Sequence, residues 1–341
     1  MLNLLRLLLY PLSLVFGLIV RLRGAWYASR SWKSPVPTIV VGNLSTGGTG
    51  KTPHTAMVAD ILLQHGRHPA TLSRGYGRKS RGFFEVLTES VSWEVGDEPL
   101  MIKNRFPELP VFVCESRVEG IQRLLRIRPR VEYIVLDDAY QHRALKPDLA
   151  IVLLTYSSLE KIWLLLPAGD GREQLSALNR SQAVIITKCP SGITDENKER
   201  LKRKIAKHTD APVFFSEYKY LGFINCKGEH VKPNSGRDKG LLLAGIADPQ
   251  SLIYWLKSQF FQLDSILFSD HYHFSAKELR DVLSKAGDSY VIITEKDKVR
   301  IHDVWPEFLQ NLNVLVIPIT PDLGKDSKNF EKFLFDRLSK S

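Results

Sequence analysis

The chain has 341 residues, 44% hydrophobic and 25% charged, with a formal net charge of +10. That balance excludes a disordered chain or a disulfide-stapled scaffold, and the length suggests about two domains with a sizeable core. Cys114, Cys189 and Cys226 are scattered, without metal-ligand spacing, which fits a reducing cytoplasmic compartment, while the positive charge points to acidic or phosphorylated partners.

Residues 1–20 are nearly all apolar, interrupted by Arg6 and Pro11 and followed by Arg21, Arg23, Trp26, Tyr27 and Arg30. The charge-free part, 7–20, is shorter than the ~20 residues a spanning helix needs. No small-residue cleavage site follows it. An aromatic and arginine border suits a helix lying in a membrane interface; the alternative is a helix packed on the core. Next, strands are expected at 38–41, 69–73, 110–114, 133–136, 149–154, 183–187 and 212–216, with a short one at 83–87. Helices are expected at 53–65, 97–105, 117–128, 172–179 and 196–207. Such alternation implies a mostly parallel α/β sheet. The basic run 198–207 reads as a solvated helix face, and no nucleic-acid-binding motif accompanies it. Residues 218–239 read as a hairpin linker broken by Pro233-Asn234-Ser235-Gly236. A second α/β pattern follows, with strands at 240–245, 265–268, 289–294 and 313–317 and helices at 249–259, 276–285 and 329–339. Ligands of open α/β sheets sit beyond the carboxyl ends of the strands, so a cleft between two such units is expected.

The chemistry-bearing motifs fall at those ends. Ser45-Thr46-Gly47-Gly48-Thr49-Gly50-Lys51-Thr52 joins the first strand to a helix. Its glycines let backbone N–H groups cradle phosphate, Lys51 reaches the β/γ-phosphates, and the Thr52 hydroxyl suits Mg²⁺. Ser45 stands where the Walker pattern has glycine. The strand 131–136 ends in Asp137-Asp138, a Walker-B arrangement with one carboxylate near the metal. Asp97 and Glu98 open a helix, either as caps or as a base and a metal-sphere group. Arg74, Arg117, His142 and Arg172 follow strands or glycine loops, where each suits either a phosphate or a surface ion pair. Asp270-His271 and Thr294-Glu295-Lys296-Asp297 end strands of the second unit. His271 and His273 lack further ligands for zinc. The expected fold is therefore α/β: a P-loop NTPase-like, mostly parallel sheet domain (31–217) and a smaller Rossmann-like α/β domain (240–341). A β-hairpin linker (218–239) joins them, behind an N-terminal membrane-associated helix (1–30).

In order, Ser73-Arg74-Gly75-Tyr76-Gly77, Gly96-Asp97-Glu98-Pro99, Leu136-Asp137-Asp138, Gln141-His142, Leu166-Pro167-Ala168-Gly169, Arg172-Glu173, Asp270-His271 and Thr294-Glu295-Lys296-Asp297 resemble the tetraacyldisaccharide 4′-kinase (lipid A 4′-kinase) family, over nearly the whole chain. That family also has Ser or Thr at the Ser45 position. Two departures are Ala139-Tyr140, where it often has Gly-Phe, and Asp170-Gly171, where it often has Pro-Leu. The resemblance implies ATP- and Mg²⁺-dependent phosphorylation of the 4′-hydroxyl of lipid A disaccharide 1-phosphate, by a peripheral, monomeric enzyme on the cytoplasmic face of the inner membrane. It further implies nucleotide contacts from Ser45 to Thr52 and from Asp137, with metal contacts from Thr52, Asp138 and Glu98. Substrate contacts would come from Arg74, Arg117, His142 and Arg172. Asp97 would accept the proton in a pair with His271, with Lys51 at the transferred phosphate. A nucleotide-dependent switch ATPase, or a membrane adaptor with a degenerate nucleotide fold, would carry the same loop without that transfer.

Overall fold

The computed structural model describes residues 6, 8–28 and 30–339. Residues 1–5, 7, 29, 340 and 341, which include part of the apolar amino end, lie outside the described residues.

Eight strands form the larger sheet: β1 (Thr38–Asn43), β2 (Pro69–Ser73), β3 (Phe84–Val86), β4 (Val111–Val113), β5 (Tyr133–Asp137), β6 (Leu149–Thr155), β7 (Ala183–Thr187) and β8 (Val213–Phe215). Their order is β8-β7-β6-β1-β5-β2-β4-β3, parallel except for the β3 edge. β1 and β7 are buried at every position, the pattern of strands covered on both faces. One face packs on α2 (Lys51–Gln64) and α3 (Asp97–Arg105). The other packs on α4 (Arg117–Ile127) and α5 (Asp195–Ala206).

A six-stranded sheet comprises β9 (Phe223–Ile224), β10 (His230–Val231), β11 (Lys239–Ala244), β12 (Gln262–Leu267), β13 (Tyr290–Thr294) and β14 (Val314–Ile317), in the order β10-β9-β14-β13-β11-β12. Its covering helices include α6 (Gln250–Leu256), α7 (Ala276–Ala286) and α8 (Glu295–His302). The hairpin expected as a free linker is the antiparallel edge of this sheet, with Ile224 paired to Val316. The connection between the sheets is instead a two-stranded ribbon, Glu217–Tyr220 against Ile319–Asp322.

The chain thus crosses out once and back once. Its last helix, α9 (Ser327–Leu338), buries Phe330, Leu334 and Leu338 among residues of the larger sheet. Residues 240–341, expected as one C-terminal unit, therefore divide between two cores. The amino-terminal α1 (Tyr10–Ala28) leaves Leu12, Leu14, Val15, Leu18, Ile19, Leu22 and Trp26 exposed. Among the described residues no helix is long and apolar enough to cross a membrane.

Candidate active site

The phosphate loop is set by two glycines with positive φ, Gly47 at 93° and Gly50 at 86°. Such angles cost a side chain energy and cost glycine little. α2 begins directly after, at Lys51, so its unpaired N–H groups face the loop. Pro53 sits in the first turn, where its missing donor is harmless. The Asn43 amide donates to Thr49 Oγ1 (2.8 Å) and Thr187 Oγ1 to the Thr49 carbonyl (2.9 Å), which fixes the loop from two strands. Ser45 is buried and bridges to Gly171, while the Thr46 N–H donates to the Asp170 carbonyl at 2.7 Å. Asp170-Gly171 therefore runs along the loop. A Cβ on Gly171 would lie 2.9 Å from the Leu164 carbonyl oxygen.

Three carboxylates lie beside the loop. Asp137 is buried and accepts from Thr52 Oγ1 (3.0 Å) and Thr55 Oγ1 (3.1 Å). Burial, with the nearby charges of Glu98 and Asp138, pushes its pKa up to about 7 against the pull of Lys51 and Thr52. Asp138 turns away, at φ 47°, to Lys51 (3.8 Å) and Arg172 (3.4 Å). Glu98 pairs with Lys296 at 3.3 Å.

From the smaller sheet, His271 Nδ1 comes 3.0 Å from Asp97 Oδ2. Lys296 Nζ lies 3.1 Å from His271 Nε2. An ammonium only donates, so Nε2 accepts and Nδ1 carries the hydrogen toward Asp97. Burial alone would raise the Asp97 pKa, but the hydrogen bond from His271 and the charges of Lys296 and Arg300 outweigh it and hold the carboxylate well below its usual range. Lys51, Thr52, Glu98, Asp138, Arg172, Lys188, His271 and Lys296 line one cavity of about 470 Å³ between the sheets.

A family model described as tetraacyldisaccharide-1-P 4′-kinase matches residues 5–339. The chain belongs to the tetraacyldisaccharide-1-P 4′-kinase family. Relatives of that name from Bacteroides thetaiotaomicron and Flavobacterium psychrophilum are 37% and 36% identical, over 94% and 99% of this chain and 90% and 98% of theirs. A crystal structure of LpxK from Aquifex aeolicus in complex with ATP superposes with a TM-score of 0.77 at 27% identity, over 98% of this chain and all of that one.

In this 4′-kinase family member, the residues expected to bind substrate do not all meet at the cavity. Arg172 lines it, with its backbone N–H on the Leu44 carbonyl (2.7 Å). Arg117 is buried behind it. Its Nη1 donates to the carbonyls of Cys114 (3.1 Å) and Glu115 (3.3 Å), and its Nη2 to those of Asp137 (3.3 Å) and Asp138 (3.4 Å). Its guanidinium thus ties two strand ends together and offers no face to a substrate. His142 lines a second cavity, beneath the carboxyl half of α1, with Gly24, Tyr27, Arg143 and Arg180. Burial, helped by the charges of Arg117, Arg23 and Arg74, lowers its pKa to about 4. Arg74 itself is exposed.

Sequence reasoning gave no roles to Arg300, Lys296, Lys188 or His54. Arg300 is buried and donates from Nε (2.9 Å) and Nη2 (2.5 Å) to Asp97 Oδ2. Its signal was present: Thr294 caps α8 by accepting from the Asp297 N–H, and a Thr-x-x-Asp helix start places Arg300 one turn beyond Lys296. Lys188, at φ 54°, pairs with Asp248 at 3.3 Å across the cavity. His54 lies fully buried behind the phosphate loop, its Nδ1 2.7 Å from the Gly50 carbonyl and its Nε2 3.0 Å from Ser216 Oγ.

Proposed function

We propose that this chain transfers the γ-phosphoryl group of ATP to the 4′-hydroxyl of a lipid A disaccharide 1-phosphate, the reaction its family is named for. One observation carries the reading: the phosphate loop and His271 line a single cavity, and Asp97 is hydrogen-bonded behind His271. In that reading the larger sheet is the P-loop NTPase-like kinase unit and the smaller sheet a Rossmann-like unit that closes over it.

The residues fit a magnesium ion. Thr52, Asp137, Asp138 and Glu98 offer only oxygen, the donor type that Mg²⁺ prefers, and Asp137 is raised first by burial and then by the charges of Glu98 and Asp138. Among the described residues no three acidic, histidine or cysteine side chains make a metal cage by themselves. Mg²⁺ commonly takes one or two protein carboxylates together with water and substrate phosphates. Thr52, Asp138 and Glu98 would hold it, with Asp137 orienting Thr52. When bound, the ion neutralises charge on the β- and γ-phosphate oxygens.

The chain's own groups do the rest. Gly47, Gly48 and Gly50, with Ser45, Thr46 and Thr49 shaping the loop, cradle the nucleotide phosphates, and Lys51 offsets their charge. Asp97 accepts the 4′-hydroxyl proton, with His271, which lines the cavity in front of it, tuning or relaying that proton. Demand on that base is modest, because phosphoryl transfer passes through a loose transition state governed by positioning. Arg172 faces the transferred phosphate. His142 lies toward α1, where the sugar 1-phosphate of a lipid would sit, and the charge of Arg74 acts on it. Arg117 serves by fixing the Asp137-Asp138 turn.

The apolar outer row of α1 is read as an anchor in the cytoplasmic leaflet of the inner membrane, with the protein a peripheral monomer. Incubation with γ-labelled ATP and the tetraacyl precursor tests the reading: label enters the lipid. Label released only as phosphate would instead favour a switch ATPase. Asp97→Ala and His271→Ala are each expected to lower kcat by about 10²-fold or more, and wild-type kcat in both would remove the proposed pair.

A further inference from the structure

Arg300 makes contacts that a simple ion pair would not need. Both residues are almost fully buried, with side-chain exposures of 4% for Arg300 and 7% for Asp97. The guanidinium reaches three elements at once. Nε and Nη2 hold Asp97 Oδ2 on α3. Nη1 donates to the Gly245 carbonyl at 2.8 Å, just beyond β11, and lies 3.4 Å from Asp297 Oδ1 on its own helix. Asp297 in turn accepts from the Gly245 N–H at 3.1 Å, so both backbone groups of Gly245 are engaged. A Cβ on Gly245 would stand 3.2–3.4 Å from Asp297, Tyr272 and Arg300, so the fit is close.

The segment held this way continues over the phosphate loop. A Cβ on Gly48 would lie 3.3 Å from the Ala247 Cβ, and Asp248 pairs with Lys188. We infer that Arg300 is a positioning residue that joins the Asp97–His271 pair and the loop 245–248 over the phosphate loop into one unit. Acceptor and donor halves of the transfer are then set together when the two sheets approach. Lysine cannot take this place fully, since a single ammonium lacks the planar fork that reaches Asp97 and Gly245 simultaneously. The inference rests on the kinase reading above, which the wild-type labelling experiment tests by itself.

The experiment uses the full chain with Arg300→Ala and Arg300→Lys, each alone and combined with Asp97→Asn. In Arg300→Ala, kcat is expected to fall about 10²-fold, the scale of an ångström-sized misplacement of a reacting group, and KM for ATP to rise, while KM for lipid stays put. Adding Asp97→Asn should then cost little more, because the two residues act as a unit. Millimolar guanidinium should recover part of the lost kcat, and Arg300→Lys should fall between wild type and Arg300→Ala. Should Arg300→Ala not fold, Arg300→Lys carries the test through its kcat and its combination with Asp97→Asn. Wild-type kcat in Arg300→Lys, or losses that add fully to Asp97→Asn with no guanidinium recovery, would overturn the inference.

Discussion

Three non-glycine residues have positive φ among the described residues, Asp138 at 47°, Lys188 at 54° and His271 at 58°, and all three line the cavity. A left-handed backbone is tolerated by aspartate better than by most residues, and clusters of such conformers mark sites where geometry outranks local comfort. Asp138→Asn should keep the turn, with a melting temperature near wild type, yet lose most activity because Lys51 and Arg172 no longer face a carboxylate. A melting temperature that fell in step with activity would assign Asp138 to stability alone. His54 carries a separate prediction. Burial lowers its pKa from 6.5 to about 4, against a carbonyl contact that raises it. A histidine held neutral in the fold contributes stability that is present above pH 6.5 and lost as pH falls toward 4. Between pH 7 and pH 5 the loss from this group is about 2 kcal/mol. Urea unfolding at both pH values checks it, and His54→Gln should flatten the difference by that amount. Neither His54 nor Arg300 was legible as a site residue. Each acts through burial against a distant segment; the Thr294 cap fixes the helix turn that carries Arg300, but no local pattern names its partner Asp97. Asp138 and His271 stand just beyond strand ends, which converge in an α/β chain, whereas the pairing of Asp97 with His271 came from the family resemblance and not from spacing.

At the scale of elements, regular periodicity read well and irregular connections did not. Strands 69–73 and 183–187 fall where the alternation of sequence puts them. The helix expected at 172–179 is a 3₁₀ turn, Leu175–Arg180. The N–H groups of Arg172 and Glu173 both go to the Leu44 carbonyl, so this stretch is bound across the phosphate loop and cannot begin a helix there. α1 inverts the usual amphipathic pattern. Its inward contacts come from Ser13, bonded to the Leu165 carbonyl and the Ala168 N–H at 3.0 Å, and from Gly17 and Gly24, which touch Leu165 and Arg143. Small residues bring the helix close, and the bulky apolar ones face out. A row of that size is costly in water and suits a lipid interface. Leu14→Glu combined with Leu18→Glu should leave the fold and the ATP affinity unchanged. Co-sedimentation with anionic vesicles should fall, and KM for vesicle-borne lipid should rise. Unchanged vesicle binding in that variant would remove α1 as the anchor.

At the scale of the molecule, the order of elements along the chain differs from their order in space. The larger sheet needs α9, whose Phe330 packs edge-on against Phe214 at 5.1 Å and whose Phe335 lies tilted against His65 at 4.6 Å. Every strand between the two ribbon strands belongs to the smaller sheet, which makes that unit an insertion in the larger one. This was hidden in the sequence because amphipathic periodicity identifies a helix face without naming what covers it. The consequence concerns folding. A fragment of residues 1–217 lacks the side chains that fill one face of its core, and losing one buried phenylalanine alone costs about 3–5 kcal/mol, a large share of a domain's usual stability. Such a fragment should show no cooperative thermal transition and should bind no ATP. Residues 221–318 contain all six strands of the smaller sheet and both faces of its core, so that fragment should unfold cooperatively by itself. Adding a peptide of residues 319–339 should restore a transition to the 1–217 fragment, because it returns Leu323 and α9 to the open face of that core. Differential scanning calorimetry of the three samples decides the matter. A cooperative 1–217 fragment with no added peptide would mean that α9 merely covers a finished core, and that the chain has two independent units in series.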